Sequence, residues 1–297
     1  MEDKKALRRL TILLIISMVF WGLSWPSNKT LKSFGDPFTL GFLRYILVVV
    51  SMIPLLLIMK VKFRLSKLGV LFVFISGLLM SVYNYTFLQG LQEGNAGAGG
   101  ILVTTLNPIM AYSLGIVLAW RKPKKNETIG ILLGAIAGIV LLQLWNNLNI
   151  LSNSGNALFL ASALIWSIMS KFSSRSKEFG NPLAFTWWMY IVTLIAIAPF
   201  VDFQAVDTLI HSTDFLFWGN LLFGSVIVTS FATTMYFYAT SQIGAERASS
   251  FIFTVPLCAG LSAFFIRGEQ MEWFTIVGGC LGIVAVYVLN KKVKNSQ

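Results

Sequence analysis

Arg44 is the one formal charge well inside an apolar run of this 297-residue chain. If that run crosses a bilayer, the guanidinium is costly there and should face a bundle interior or a water-filled cavity. Two roles fit it. It attracts a carboxylate or phosphate on a bound molecule, or it snorkels to helix-end carbonyls of the first-to-second loop. Asn84, Thr104 and Asn107 add amide and hydroxyl groups, and Trp21, Trp166, Tyr236 and Tyr238 add aromatic walls, so these eight residues are the candidate substrate-binding set. Trp21 and Trp25 are four apart and share one helix face, as do Ser162 and Trp166. The competing reading of such aromatics is packing or interfacial anchoring.

Two prolines mark a path for that molecule. Pro108 has no amide hydrogen for the carbonyl of Thr104, and Pro256 has none for Ile252, which predicts a kink at each. Thr104, Thr105 and Asn107 surround the first, and Ser249, Ser250 and Thr254 approach the second. Freed backbone at membrane depth persists only where it is buried in protein or lines a wet cavity. The pair therefore reads as gating positions beside a substrate path, together with Glu269. A kink needed only for packing is the plainer alternative.

Catalytic chemistry has little to work with. The interior of every apolar span lacks His, Asp and Glu, so no carboxylate dyad, HExxH zinc site or Ser/His pair forms at membrane depth. That excludes an enzyme and a metal centre, calls for no cofactor, and disfavours a buried proton relay. Coupling would use groups nearer the surface, such as Glu93, Glu246 or Glu269. Cys258 and Cys280 sit in apolar runs as small hydrophobes. The Gly-rich segment 95–100 lacks GxxxxGK[ST] and a preceding strand, and reads as a tight helix entry.

These side chains need elements to hold them, and composition decides which. Apolar residues make up 56% of the chain and charged residues 12%, about half the charged share of a soluble domain. Ten apolar stretches, 10–31, 38–59, 68–90, 96–119, 127–145, 156–172, 182–201, 215–241, 246–267 and 272–290, are cut by charged or turn-forming clusters. Each is near the length of a membrane helix. They leave no room for a large extramembrane domain, and their solid apolarity disfavours a barrel of alternating strands. The expected fold is all-α and polytopic. The first run continues through Trp21, Trp25 and Pro26 with no small-residue cleavage site, so it reads as a retained helix rather than a signal peptide.

With the amino terminus inside, 19 of the 23 Lys and Arg fall on the cytoplasmic side. This asymmetry places both termini in the cytoplasm, in a bacterial inner membrane. Segment 202–214, with Asp202, Asp207, His211 and Asp214, falls outside. The net charge of +11 is thus an orientation signal rather than a nucleic-acid surface. The expected partners are the bilayer and a small molecule, with monomer and homodimer both open.

The chain also repeats itself. A shift of 145 lays Trp21 on Trp166, Phe34-Gly35-Asp36-Pro37 on Phe179-Gly180-Asn181-Pro182, and Tyr45 on Tyr190. A shift of 148 lays Pro108 on Pro256, Gly130 on Gly278 and Gly134 on Gly282. Two units follow, 1–148 and 149–297, each with five helices. Five is odd, so the second unit is inverted, an architecture recurrent in secondary transporters. Gly130, Gly134 and Gly138, with Gly278 and Gly282, lie on single helix faces and predict close helix packing.

Trp21-Gly22, Arg44-Tyr45, and Asn107-Pro108 with Arg121, Gly130 and Gly134 resemble the EamA family of the drug/metabolite transporter superfamily, as does the matching run Pro256, Glu269, Gly278 and Gly282. The likeness covers nearly the whole chain. It implies ten helices, cytoplasmic termini, and a cavity lined mainly by helices one, three, four, six, eight and nine. It also implies export of small metabolites such as amino acids and their derivatives, while relatives exchange nucleotide sugars, triose phosphates or S-adenosylmethionine. Trp21, Arg44, Pro108, Pro256 and Glu269 are the family-matched positions. The family pattern ends helices four and nine with glutamate; Glu269 matches and Arg121 departs. The expected function is a secondary transporter of a small polar or amphipathic metabolite, outward by alternating access. Uptake or exchange of a nucleotide-linked compound and a non-transporting scaffold or receptor are the alternatives.

Overall fold

Separate apolar runs in hydrocarbon must satisfy every backbone N–H and C=O within themselves, which leaves the helix as their only regular form. A computed structural model describes residues 2–93, 96–146, 154–212, 214–267 and 273–291, and all ten expected spans are helical within it. In the first half these are α1 (Glu2–Leu31), α2 (Pro37–Ile58), α3 (Lys67–Glu93), α4 (Ala96–Leu118) and α5 (Lys125–Leu142). The second half has α6 (Ser154–Ser174), then a four-residue turn of helix, α7 (Ser176–Phe179), then α8 (Pro182–Ile197) and a short surface helix, α9 (Phe203–Ile210). The eighth crossing is composite: α10 (Phe215–Leu222), a π-helix over Phe223–Thr233, and α11 (Thr234–Ile243). The ninth joins α12 (Ala245–Ser250), a 3-10 turn at Phe251–Thr254 and α13 (Val255–Arg267), and α14 (Trp273–Asn290) is the tenth. An even number of crossings starts α1 and ends α14 on one side, called here the terminal face.

Several boundaries differ from expectation. Helix α1 begins at Glu2, so the Lys4–Arg9 cluster rides on the helix instead of preceding it. Segment 202–214 is partly helical: Val206 and Leu209 of α9 are buried, and Phe203 meets the ring of Phe42 edge-on at 5.6 Å. The proline expectation is met unequally. The backbone of α4 stays helical through Pro108. In the ninth crossing a 3-10 turn comes first, and Pro256 then sits in the first turn of α13, where a missing N–H costs nothing. Glu269 lies outside the described residues.

The duplication is visible in the caps and in the packing. Asp36 accepts hydrogen bonds from the N–H of Phe38 and Thr39 at 2.8 and 3.1 Å, and its counterpart Asn181 accepts from Leu183 N–H at 2.9 Å. Pro37 and Pro182 follow as first helical residues, the favoured place for proline. The rings of Trp21 and Trp166 touch at 5.2 Å between centroids, and those of Tyr45 and Tyr190 at 5.8 Å. Residues that match under the repeat thus meet each other, which puts both pairs on the pseudo-two-fold axis of two inverted five-helix units.

The glycines close the seam between α5 and α14 reciprocally. A Cβ on Gly130 would overlap Leu289, and one on Gly278 would stand 2.5 Å from Leu141 Cγ; the two leucines are themselves 148 apart. Gly138 faces Thr105, and Gly134 and Gly282 both face Phe253. The Arg121 departure also has a local cause. Its guanidinium grips Glu127 at 2.7 and 2.8 Å, and Glu127 accepts from Lys124 N–H at 2.8 Å, closing the start of α5. Beyond α6, Arg175 stands 5.5 Å from the ring of Phe72 and 5.6 Å from that of Phe179. The same guanidinium holds the Glu178 carboxyl below its ordinary range through a 2.7 Å hydrogen bond.

A Cβ at Gly282 would stand 2.6 Å from the Phe253 carbonyl oxygen, a backbone atom that cannot rotate away. Gly282→Ala should therefore lose more to overpacking, about 1–3 kcal/mol, than the ~1 kcal/mol it gains in helix propensity. Gly219 has no neighbour within 4 Å of such a Cβ, so Gly219→Ala should be neutral or stabilising. Thermal melting of both variants in detergent checks the contrast.

Candidate functional site

Helices α1 to α4, α6 and the eighth and ninth crossings line a cavity of about 90 Å³. It occupies the half of the bundle away from the terminal face. Of the eight candidate residues, Trp21, Arg44, Asn84, Thr104, Asn107 and Trp166 line it. Tyr236 lies one layer behind: fully buried, it packs against Trp21 and Trp166 at 5.1 and 5.6 Å, and its hydroxyl shares a 2.9 Å hydrogen bond with Ser170. Tyr238 is outside the lining and packs on the main apolar core.

Arg44 reaches the cavity from α2. Its Nη2 donates to Asn28 Oδ1 at 2.6 Å, a side chain of α1 and not a carbonyl of the first-to-second loop. Its Nε is buried without a partner, and none of the ion pairs among the described residues includes it. A guanidinium held at one edge and unneutralised is a ready site for an anionic group.

The other polar lining residues differ in what they have left to offer. Asn84 donates to the carbonyl of Pro37 at 3.2 Å and fills the space left by Gly41, tying α3 to the start of α2. Thr104 donates to the Gly100 carbonyl at 2.7 Å, one turn back. Asn107 is freer: its side-chain oxygen is buried with no partner, while its backbone carbonyl accepts from Ser167 at 3.1 Å.

Aromatic rings build much of the wall. Trp21 donates through Nε1 to Thr233 at 3.3 Å, Tyr83 meets Trp166 at 4.8 Å, and Trp25 meets Phe87 at 5.2 Å. Thr229 and Thr233 come from the π-helix. Their hydroxyls donate to the carbonyls of Gly224 and Val228, five residues back, at 2.8 and 3.1 Å. Wider helical turns of this kind recur at functional sites. Gly224 of the π-helix lies beside Arg44, whose Nη2 would be in ordinary contact, 3.4 Å, with a Cβ there.

The lining obeys the repeat in position and breaks it in chemistry. Asn84 pairs with Thr229 under the 145 shift, and Thr104 and Asn107 pair with Ile252 and Val255 under the 148 shift; all six face the cavity. Arg44 pairs with Met189. The first unit presents a cation and amides, and the second presents Thr229, Ile252 and Val255 at places equivalent to Asn84, Thr104 and Asn107.

The model of the EamA-like transporter family matches residues 9–143 and 153–291, the two five-helix units in turn. The chain belongs to the EamA-like transporter family. An "Uncharacterized transporter" of Archaeoglobus fulgidus is 25% identical to it, over 95% of this chain and 97% of the relative. A "Probable amino-acid metabolite efflux pump" of Salmonella typhimurium is 23% identical over 93% of each. One crystal structure shares the fold, with a TM-score of 0.72, 16% identity and coverage of 95% of this chain and 97% of that one. The protein is therefore a multi-pass membrane transporter of EamA-like architecture. Within that architecture α2 joins the helices expected around the cavity, because Arg44 and Tyr45 both line it.

Asn28, Tyr83, Thr229 and Thr233 are lining residues that the sequence reading passed over. Asn28 was within reach of it, since Trp21, Trp25 and Asn28 follow the i, i+4, i+7 pattern of one face. Asn28 is also the sole hydrogen-bond acceptor described for Arg44. Asn28→Leu strands that buried guanidinium, so it should cost about 3 kcal/mol or more, seen as a lowered melting temperature and reduced yield in the membrane.

Proposed function

We propose that this EamA-like transporter exports a small amphipathic metabolite carrying one anionic group, an amino acid or a derivative, by alternating access of units 1–148 and 149–297. The observation behind this reading is the divided cavity. Unneutralised Arg44 and the free Asn107 oxygen stand on one wall, with Ile252 and Val255, the counterparts of Thr104 and Asn107, on the other. A carboxylate would sit on Arg44 in a charge-assisted, bidentate-capable contact, an N–H donor on Asn107, and an apolar side chain against the second unit. Trp21 and Trp166 would close over it, with Pro108, Pro256 and Glu269 in gating roles. The name of the Salmonella relative supports the substrate class and the outward direction. The Lys and Arg asymmetry supports a cytoplasmic terminal face in a bacterial cell membrane.

A second reading has its own support. The rings of Trp21, Trp25, Tyr83, Phe87 and Trp166 around the cavity suit stacking of a nucleobase, as in uptake or exchange of S-adenosylmethionine. Thermal-shift screening of amino acids, S-adenosylmethionine and nucleotides, followed by flux of the best hit in proteoliposomes, separates the two. Absence of flux for every stabilising ligand would favour a receptor or scaffold.

Arg44→Gln should cut flux of the anionic substrate about tenfold or more, the worth of one hydrogen bond to a charged group, without lowering the melting temperature. Intact flux with reduced yield would instead make the residue structural. Asn28→Asp should also abolish flux while leaving the protein folded, because a carboxylate 2.6 Å from the guanidinium neutralises it from within.

A further inference from the structure

An ion pair stands where the cavity would have to open toward the terminal face. Lys171 near the end of α6 donates to Glu246 in the first turn of α12 at 2.5 Å. Gly115 of α4 lies against the pair so closely that a Cβ there would overlap the Glu246 carboxylate. Three of the cavity-forming crossings thus converge on one carboxylate. Each reaches it from a lining residue: Lys171 is five residues beyond Trp166, Gly115 eight beyond Asn107, and Glu246 six before Ile252. At 1.5 Å per residue these separations are about 7–12 Å, so the pair lies beneath the cavity on the terminal side. Between them sit Trp166, Tyr236 and Ala111, all buried. The two charged side chains themselves are 30% and 22% exposed.

The repeat supplies no second pair. Under the shifts that align the units, Lys171 corresponds to Pro26, Glu246 to Ala98 and Gly115 to Ala263. The equivalent positions on the opposite side therefore carry no charged residue.

We propose that Lys171 and Glu246 form a one-sided latch that holds the terminal face shut and biases the resting protein toward the conformer closed there. Breaking the pair releases α6 from α12, and the positions equivalent under the repeat hold no charge to compensate for its loss. The latch concerns the conformers themselves, so it holds whichever cargo the cavity takes.

Ala111 is the reporter. It is 2% exposed and lies on the α4 face between Asn107 and Gly115, on the route from cavity to latch. In full-length protein with Cys258 and Cys280 replaced by alanine, Ala111→Cys is exposed to a membrane-impermeant maleimide from the terminal face of oriented vesicles, without substrate. Adding Lys171→Met with Glu246→Gln should raise the labelling rate up to about five-fold, the upper worth of a partly exposed ion pair. The exchange Lys171→Glu with Glu246→Lys should bring it back toward the parent rate. Labelling of the neutral pair at the parent rate overturns the proposal. So does an exchanged pair as reactive as the neutral one, because packing and not charge would then be responsible. Should the neutral pair fail to accumulate, Gly115→Ala, which displaces the carboxylate, takes its place in the comparison: an unchanged rate overturns the latch and a raised one supports it.

Discussion

Hydrocarbon offers a backbone no hydrogen-bond partner, and that constraint orders the whole molecule. It makes each apolar run a helix, and it also sets the behaviour of the hydroxyls on those helices. Ser17, Ser162, Ser167, Ser170, Thr193 and Ser225 all donate to the carbonyl four residues back in their own helix. Most buried hydroxyls are thereby consumed locally and have little to give a ligand. Beside the cavity the groups left with open valences are the Arg44 guanidinium, the Asn107 side-chain oxygen and the Trp166 indole nitrogen. The π-helix at Phe223–Thr233 and the 3-10 turn at Phe251–Thr254 both occur where the crossing borders the cavity.

The second ordering principle is duplication with divergence. Contacts on the axis, Trp21 on Trp166 and Tyr45 on Tyr190, and the reciprocal seams of Gly130 with Leu289 and Gly278 with Leu141, keep both units in register. Away from the axis the copies divide their chemistry. One supplies a charge and carboxamides, and the other supplies uncharged β-branched side chains, Val228, Thr229, Thr233, Ile252 and Val255, beside Trp166. The scaffold is two-fold while the binding surface has a polar and an apolar end.

The spans were legible because a bilayer imposes a minimum length and charged clusters mark where it ends. The repeat and the glycine seams were legible because close packing admits few side chains at a given depth. The site was legible only in part. Arg44, Asn84 and Asn107 stood out as polar groups in apolar surroundings. Tyr236 and Tyr238 did too, yet one lies behind the wall and the other apart from it. A helix apolar all round gives no periodic signal for the face that meets the cavity, so an aromatic residue cannot be assigned to lining or packing by spacing alone. The π-helix left no such mark either. Its threonines look like ordinary β-branched filler until their hydroxyls are found bonded five residues back.

Arg44 stands one residue from Tyr45, which meets its own repeat partner on the axis, and the place equivalent to Arg44 is held by Met189. An assembly of two identical halves would have to bury either two guanidiniums near that axis, repelling each other across a dry interior, or none. Fusing the halves into one chain removes that choice. Covalent linkage is what permits a single cation at the heart of a symmetric frame.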